Sequence, residues 1–348
     1  MIKRLSALCA ITALLAACTQ IEPQNVPLDY HVGGVTRELD ANGHPVHEYQ
    51  WPGVYFEARF DGPAVSFSVD DDQNVLHVLV DGELLLVLPR AGYRDVTLAD
   101  LGDGAHTIRV EKTSETQGST ARFLGFSVPD AGRRRAPPDY TRAIEFIGDS
   151  FTVGYGNTST GTECSAEQVR DTTNTSLAFG PLTAKHFASD YRILASSGFG
   201  MVRNYANKEP GTTMPVLYHR ALSGEPDTAW QPDAIVIWLG TNDFSTALGE
   251  DERWQDPARL RDDYRASYIR FVEALQQAAP EAHVVLIASG AFVDDVNDVR
   301  SRLDGDVAVL RVDGLTYQGC HGHPSVEDHG MVARRLIALL AKFPAFEN

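Results

Sequence analysis

The chain has 348 residues, 43% of them hydrophobic, with a formal charge of −17 and a pI near 5.0. That length allows two domains with ordinary globular cores. The charge excludes a nucleic-acid binder, which needs a basic field to draw in phosphates, and fits a neutral ligand better than an acidic polysaccharide.

Residues 1–17 read as an export signal. Lys3 and Arg4 form the charged start, and Leu5 to Leu14 the apolar stretch, too short for a helix of about 20 residues to cross a bilayer. Leu15-Ala16-Ala17-Cys18 puts a cysteine directly after small residues. This is similar to the bacterial lipobox, in which Cys18 becomes the acylated first residue. An ordinary secretory signal that happens to contain a cysteine is the alternative. Thr19, rather than Asp, after that cysteine implies the outer membrane, so the protein is expected to be exported and lipid-anchored there or at the cell surface. With Cys9 in the signal and Cys18 as anchor, Cys164 and Cys320 remain. An oxidising compartment favours one bridge between them, with two free thiols as the alternative.

Residues 19 to about 50 hold prolines, polar residues and little periodicity, and read as a lipidated N-terminus and tether, over 18–45, followed by a first edge strand. Over 46–128 the pattern turns to period two, in Val54 to Phe60, Val65 to Val69 and Leu76 to Val80, followed by Leu84 to Leu88 and Thr107 to Val110. Asp-Gly pairs and polar turns separate these runs, which predicts an antiparallel β-sandwich, a jelly roll. The turn Asp70-Asp71-Asp72 invites a calcium ion, but it lacks the glycine and closing glutamate of a known calcium loop and reads as a solvated hairpin tip. Residues 129–140, with Arg133-Arg134-Arg135 and Pro137-Pro138, read as a linker.

From 141 the pattern becomes strand, helix, strand. Strands are expected at 143–147, 191–195, 233–239, 283–288 and 307–312. Helices are expected near 175–189, 257–278, 294–303 and 325–343. This alternation predicts an α/β domain with a parallel sheet covered on both faces, and a ligand at the carboxyl ends of the strands. At those ends stand Ser150, then Ser196-Ser197-Gly198-Phe199-Gly200, then Gly240-Thr241-Asn242-Asp243, and finally Cys320-His321-Gly322-His323-Pro324-Ser325. Singly, each has an ordinary role in a turn or cap. Together they supply acyl transfer: a serine, an imidazole to take its proton, and donors for an oxyanion from the Ser150 N–H, the Gly198 N–H and the Asn242 amide.

Gly148-Asp149-Ser150, Gly198, Gly240-Thr241-Asn242-Asp243 and His323-Pro324, in that order over residues 141–345, resemble the four blocks of the SGNH (GDSL-like) hydrolases. The resemblance implies a three-layer α/β/α domain over 141–348. Thr152 occupies the last place of Gly-x-Ser-x-Gly, which excludes the α/β-hydrolase elbow. With a preceding sandwich that ends in Phe123-Leu124-Gly125-Phe126, the chain is similar to carbohydrate esterase family two. That resemblance implies a serine esterase with no cofactor and no metal, acting on acetylated polysaccharides or oligosaccharides (xylan, glucomannan) with the primary 6-position favoured. Another SGNH activity, on peptidoglycan, sialate or lipid esters, would use the same residues. A non-catalytic sugar-binding lipoprotein is the reading outside the enzymes.

One position departs from the family. An Asp is usual two or three residues before the histidine, where this chain has His321 and Cys320. A Ser150–His323 dyad, its imidazole held by a backbone carbonyl, is therefore expected, with Asp149 or Asp243 as a distant acid in the alternative. A Cys164–Cys320 bridge would tie the histidine segment to the loop after Ser150. Ser325-x-x-Asp328 resembles a capping box that opens the last helix. Zinc on His321, His323 and His329 is disfavoured because no carboxylate lies at matching spacing; His321 and His329 are expected at the surface. Tyr155, Phe199 and Trp238 are the candidates for sugar contact, Trp238 with core filling as the favoured role.

Overall fold

The computed structural model describes residues 25–40, 45–116, 119–221 and 230–347. The signal segment 1–17, the lipidation site Cys18 and the start of the tether lie outside the described residues.

Alternating burial builds the N-terminal part. Val65–Asp71 and Val75–Val80 bury every second side chain, as a sheet with one face on a core requires. One antiparallel sheet comprises β1 (Val26–Pro27), β3 (Thr36–Asp40), β4 (Pro45–Tyr49), β6 (Val65–Asp71), β9 (Gly92–Leu98) and β11 (Ala121–Val128). Its order is β3-β4-β11-β6-β9, with β1 also on β11. The other comprises β2 (His31–Gly33), β5 (Tyr55–Asp61), β7 (Val75–Val80), β8 (Glu83–Pro89) and β10 (Ala105–Lys112), in the order β2-β5-β10-β7-β8. Between the sheets, Phe56 stacks on Phe123 with centroids 4.0 Å apart, and Phe67, Val78, Ile108 and Phe126 fill the rest.

Three expectations change here. Strands β1 to β3 fall within 18–45, the stretch given to a tether. They are short and largely half-exposed, so they carry no buried alternation to read. The segment expected as a linker lies against the sandwich: Arg134 bridges to Phe60, Arg133 crosses Gly62 where a Cβ would not fit, and Arg135 pairs with Asp61 at 3.4 Å. The acidic turn is not a solvated tip throughout. Asp71 is 2% exposed and accepts from the Tyr49 hydroxyl, the Asn74 amide and the N–H groups of Gln73 and Asn74.

The second part is a parallel sheet of β12 (Ala143–Gly148), β13 (Asp190–Ala195), β14 (Ala234–Trp238), β15 (His283–Ser289) and β16 (Val307–Val312). Its order is β13-β12-β14-β15-β16. Eight α-helices are described: α1 (Ser150–Val153), α2 (Ala166–Thr172), α3 (Phe179–His186), α4 (Met214–Ala221), α5 (Thr241–Phe244), α6 (Pro257–Ala278), α7 (Val293–Ser301) and α8 (Val326–Leu340). The step from β12 to β13 runs one way along the sheet and the later steps run the other. Right-handed crossovers therefore put α3 on one face and α4, α6 and α7 on the other, and α8 returns to pack on α3. Helix α6 begins at Pro257 behind Asp256, whose carboxylate accepts the Arg259 N–H, and buries Leu260, Tyr264, Tyr268, Phe271 and Leu275 along one stripe. The capping box at Ser325 and Asp328 is present.

The two parts share one interior. Trp51 and Tyr55 of the sandwich pack with the hydrophobic core around the parallel sheet. The Tyr55 hydroxyl donates to Asp190 at 2.6 Å, Arg109 lies over the Tyr55 ring and donates to the Tyr191 hydroxyl, and the Thr113 carbonyl accepts both N–H and O–H of Thr175.

The order of the sheet reverses at β12, and its carboxyl end is where a ligand belongs. Gly148 closes that strand: a Cβ there would stand 2.0 Å from Thr152 Oγ1 and 3.0 Å from the Trp238 carbonyl oxygen. Gly148→Ala is therefore expected to destabilise the protein by about 1–3 kcal/mol through overpacking, read as a lower midpoint in urea unfolding. An unchanged midpoint would mean that the turn after β12 yields freely.

Candidate active site

Ser150 opens the short helix α1 immediately after that turn. Asp149 is its N-cap, with extended backbone (φ −117°) and a carboxylate that accepts the Phe151 N–H at 2.9 Å. The Ser150 side chain is thus aimed by a strand end, a glycine and a cap, and the residue is 5% exposed.

His323 arrives from the other end of the chain. Its carbonyl accepts the Gly319 N–H at 2.9 Å, and Pro324 and the capped start of α8 follow. Its Nε2 lies 2.9 Å from Ser150 Oγ, and its Nδ1 lies 2.8 Å from the Cys320 carbonyl oxygen. Burial pushes the imidazole pKa down to about 4, with the Cys320 carbonyl opposing the fall.

The segment carrying that carbonyl is held on several sides. Cys320 is bonded to Cys164. Its N–H donates to the Gly156 carbonyl at 3.2 Å, and the His321 N–H donates to the Thr162 carbonyl at 2.7 Å. Gly156 has a φ of 55°, and a Cβ on it would come within 2.4 Å of Cys320 Cβ, so glycine there lets the loop after Ser150 pass beneath the bridge.

Asp149 and Asp243 do not face the imidazole. Asp149 takes the Asn242 amide at 3.0 Å on its other oxygen. Asp243 accepts the N–H groups of Met201, Val202 and Arg203, folding the loop after β13 around itself. Burial raises both carboxyl pKa values, to about 7 and about 6 respectively. They order loops around the serine.

Of the three expected oxyanion donors, two stand ready. Among the described residues no acceptor engages the Ser150 N–H or the Gly198 N–H. Gly198 has a φ of 86°, a left-handed backbone that glycine adopts without strain. Asn242 differs: its amide nitrogen already donates to Asp149 and, at 2.9 Å, to the Phe199 carbonyl. It reaches an oxyanion only by sharing or releasing one of these hydrogens.

The other expected residues separate. Tyr155 lies over the His323 ring with centroids 4.3 Å apart, and its hydroxyl meets His321 Nδ1 at 3.0 Å. His321 is exposed, as expected. Phe199 is buried and lines a cleft of about 300 Å³ with Trp51, Glu115 and Ser196. Trp238 is 0% exposed between Phe151 and Phe179, which removes it as a sugar contact and leaves it as core. His329 was expected at the surface and is fully buried, its Nδ1 accepting the Phe179 N–H, because the stripe of α8 that faces α3 includes its position. Among the described residues no three metal-binding side chains converge. A larger cavity, of about 670 Å³, lies beyond the Met201–Asn204 loop against α6 and touches neither Ser150 nor His323.

Sequence reasoning missed Glu115 and Trp51. Both come from stretches of the sandwich with no motif, and they meet Ser196 and Phe199 only because the two parts dock.

Both parts of the chain resemble known proteins. Residues 40–138 match the family model described as Carbohydrate esterase 2 N-terminal, and residues 146–333 match that of the GDSL-like Lipase/Acylhydrolase family. An acetylxylan esterase / glucomannan deacetylase of Cellvibrio japonicus is 43% identical over 341 residues, covering 94% of each chain. A solved carbohydrate esterase, whose active site is described as having divergent catalytic and non-catalytic binding functions, superposes with a TM-score of 0.86 at 41% identity, over 92% of this chain and 99% of that one. A family two carbohydrate esterase from Clostridium thermocellum, in complex with cellohexaose, gives a TM-score of 0.73 at 27% identity, over 90% and 98%. Serine, glycine, asparagine and histidine stand at the four strand ends, a sandwich precedes them, and relatives match along nearly the whole length: the chain belongs to the SGNH (GDSL-like) hydrolases, in carbohydrate esterase family two.

Proposed function

We propose that the protein removes O-acetyl groups from the plant polysaccharides xylan and glucomannan, with the primary 6-position preferred, by acyl transfer through a Ser150–His323 dyad. The observation that carries the reading is the line from Ser150 Oγ through the imidazole to the Cys320 carbonyl. A carbonyl only accepts, so Nδ1 carries the ring proton, and Nε2 is left as the acceptor for the serine hydroxyl. Ser150 Oγ attacks the acetyl carbonyl while its proton passes to Nε2. The oxyanion is met by the N–H groups of Ser150 and Gly198, with Asn242 joining them as one of its hydrogens is released. The imidazolium returns the proton to the departing sugar oxygen, and water then cleaves the acetyl-serine by the same route to give acetate.

A carbonyl gives the imidazolium less charge stabilisation than a carboxylate does. The Tyr155 ring over His323 offsets part of that, since an aromatic face attracts a cation. The polysaccharide assignment is supported by the relative from Cellvibrio japonicus. The 6-position rests on the family resemblance.

Two measurements test this. Ser150→Ala should lower acetate release from acetylated xylan and glucomannan, followed by position with NMR, by about 10³-fold or more. Retained activity, or release from lipid or sialate esters alone, would sink the reading. The second is the pH profile. The base works only while neutral, so activity disappears as pH falls through the imidazole pKa, and kcat/KM should stay level down to pH 5 and fall near about 4. An acid limb centred on 6.5 would show that His323 is not a desolvated base.

We also infer that Cys18 carries the lipid that holds the protein at the outer membrane. The charged and apolar start, the Leu15-Ala16-Ala17-Cys18 run, and a disulfide suited to an oxidising compartment support this. Cys18→Ala should move the protein from the membrane pellet to the soluble fraction of expressing cells. A variant that still sediments with membranes would refute the anchor.

A further inference from the structure

Glu115 belongs to the sandwich, just beyond β10, yet it grips the loop that carries Gly198. One oxygen accepts the Ser197 N–H at 2.8 Å, and the other accepts the Ser197 hydroxyl. The amide between Ser197 and Gly198, whose N–H meets no acceptor among the described residues, is thus flanked by two fixed peptides. The one before it is held by Glu115, and the one after it by the Tyr205 N–H on the Gly198 carbonyl at 2.8 Å. A Cβ added at Gly198 would meet nothing within 4 Å, so close packing does not set this conformation and the hydrogen bonds must.

Glu115 is itself fixed from within the sandwich. Thr116 and Ser114 on either side of it both donate to the Asn74 side-chain oxygen, and Ser114 also accepts the Val75 N–H at 2.8 Å. Asn74 in turn is locked to the buried carboxylate of Asp71 through its amide and its N–H. Hydrogen bonds, joined through the backbone at Ser114–Thr116, therefore connect the Asp71 turn to the peptide next to Gly198.

We propose that Glu115 is a positioning residue for ester cleavage: from the sandwich, it orients the Gly198 N–H toward the developing oxyanion by holding Ser197. The proposal rests on the Ser150–Gly198 reading above and extends it, because it makes the N-terminal part a contributor to transition-state stabilisation. Displacing one oxyanion donor by a fraction of an ångström weakens an interaction made mainly in the transition state, so kcat falls and KM does not.

The test uses the full-length enzyme with 4-nitrophenyl acetate, which has the acetyl carbonyl but no sugar, and with an acetylated glucomannan oligosaccharide. Glu115→Ala is expected to lower kcat about 10- to 100-fold on both substrates, with KM within about twofold. Glu115→Gln keeps an acceptor for the Ser197 N–H and should recover kcat to within a few-fold. Ser197→Ala should lower kcat alone and add little in the Glu115→Ala background, the non-additivity expected of one shared interaction. If Glu115→Ala fails to fold, Glu115→Gln and Ser197→Ala carry the comparison. A raised KM confined to the oligosaccharide would overturn the proposal in favour of direct sugar contact. So would an unchanged kcat in folded Glu115→Ala or Ser197→Ala, or additive losses in the double mutant. Ser150→Ala is assayed alongside. If it stays active, the underlying reading fails; if it is inactive while Glu115→Ala keeps its kcat, only the present proposal fails.

Discussion

The proposed dyad depends on one hydrogen bond, from His323 Nδ1 to the Cys320 carbonyl. A neutral imidazole has two tautomers, and only the one protonated at Nδ1 offers Nε2 to a serine. A side-chain carboxylate would set that choice and follow small movements of the ring. A backbone carbonyl cannot follow, so the chain that bears it has to be immobile. This accounts for the concentration of constraints around Cys320: a disulfide, a glycine beneath it, a hydrogen bond on each neighbouring N–H, and a capped helix three residues after the histidine. In the proposed dyad, rigidity of the main chain takes the place of an acid.

The same economy appears on the serine side. Asp149 and Asp243 are buried at a cost in desolvation, which is why both carboxyl pKa values rise. Each is compensated by donors from the loops it orders: Phe151 and Asn242 for one, and Met201, Val202 and Arg203 for the other. The two carboxylates thus shape the surroundings of Ser150 and of the loop after β13.

Much of this could be read from residue order. The five parallel strands are short, apolar and bounded by polar turns, and Pro257 behind Asp256 marks the start of α6 unambiguously. Ser150, Gly198, Asn242 and His323 each follow a strand, and a parallel sheet gathers strand ends whatever their separation in sequence. What escaped reading has physical causes. Strands β1 to β3 are edge elements whose half-exposed side chains leave no period, and α2 lacks any buried residue. His329 is a polar residue in an apolar stripe, and its burial is set by α3, a partner that local sequence does not name. The commitments of the Asn242 amide and the reach of Glu115 depend on distances between loops far apart in the chain, to which no spacing rule applies.

The two family segments, 40–138 and 146–333, look like interchangeable modules. The interior says otherwise. Trp51 and Tyr55 complete the core around the parallel sheet, and Arg109 and Asp190 face each other's aromatic and hydroxyl partners across the junction. A hydrolase segment cut free would bare an apolar face and leave the Asp190 carboxylate without the Tyr55 hydroxyl, so protein engineers exchanging halves among homologues need to transplant both sides of this seam together.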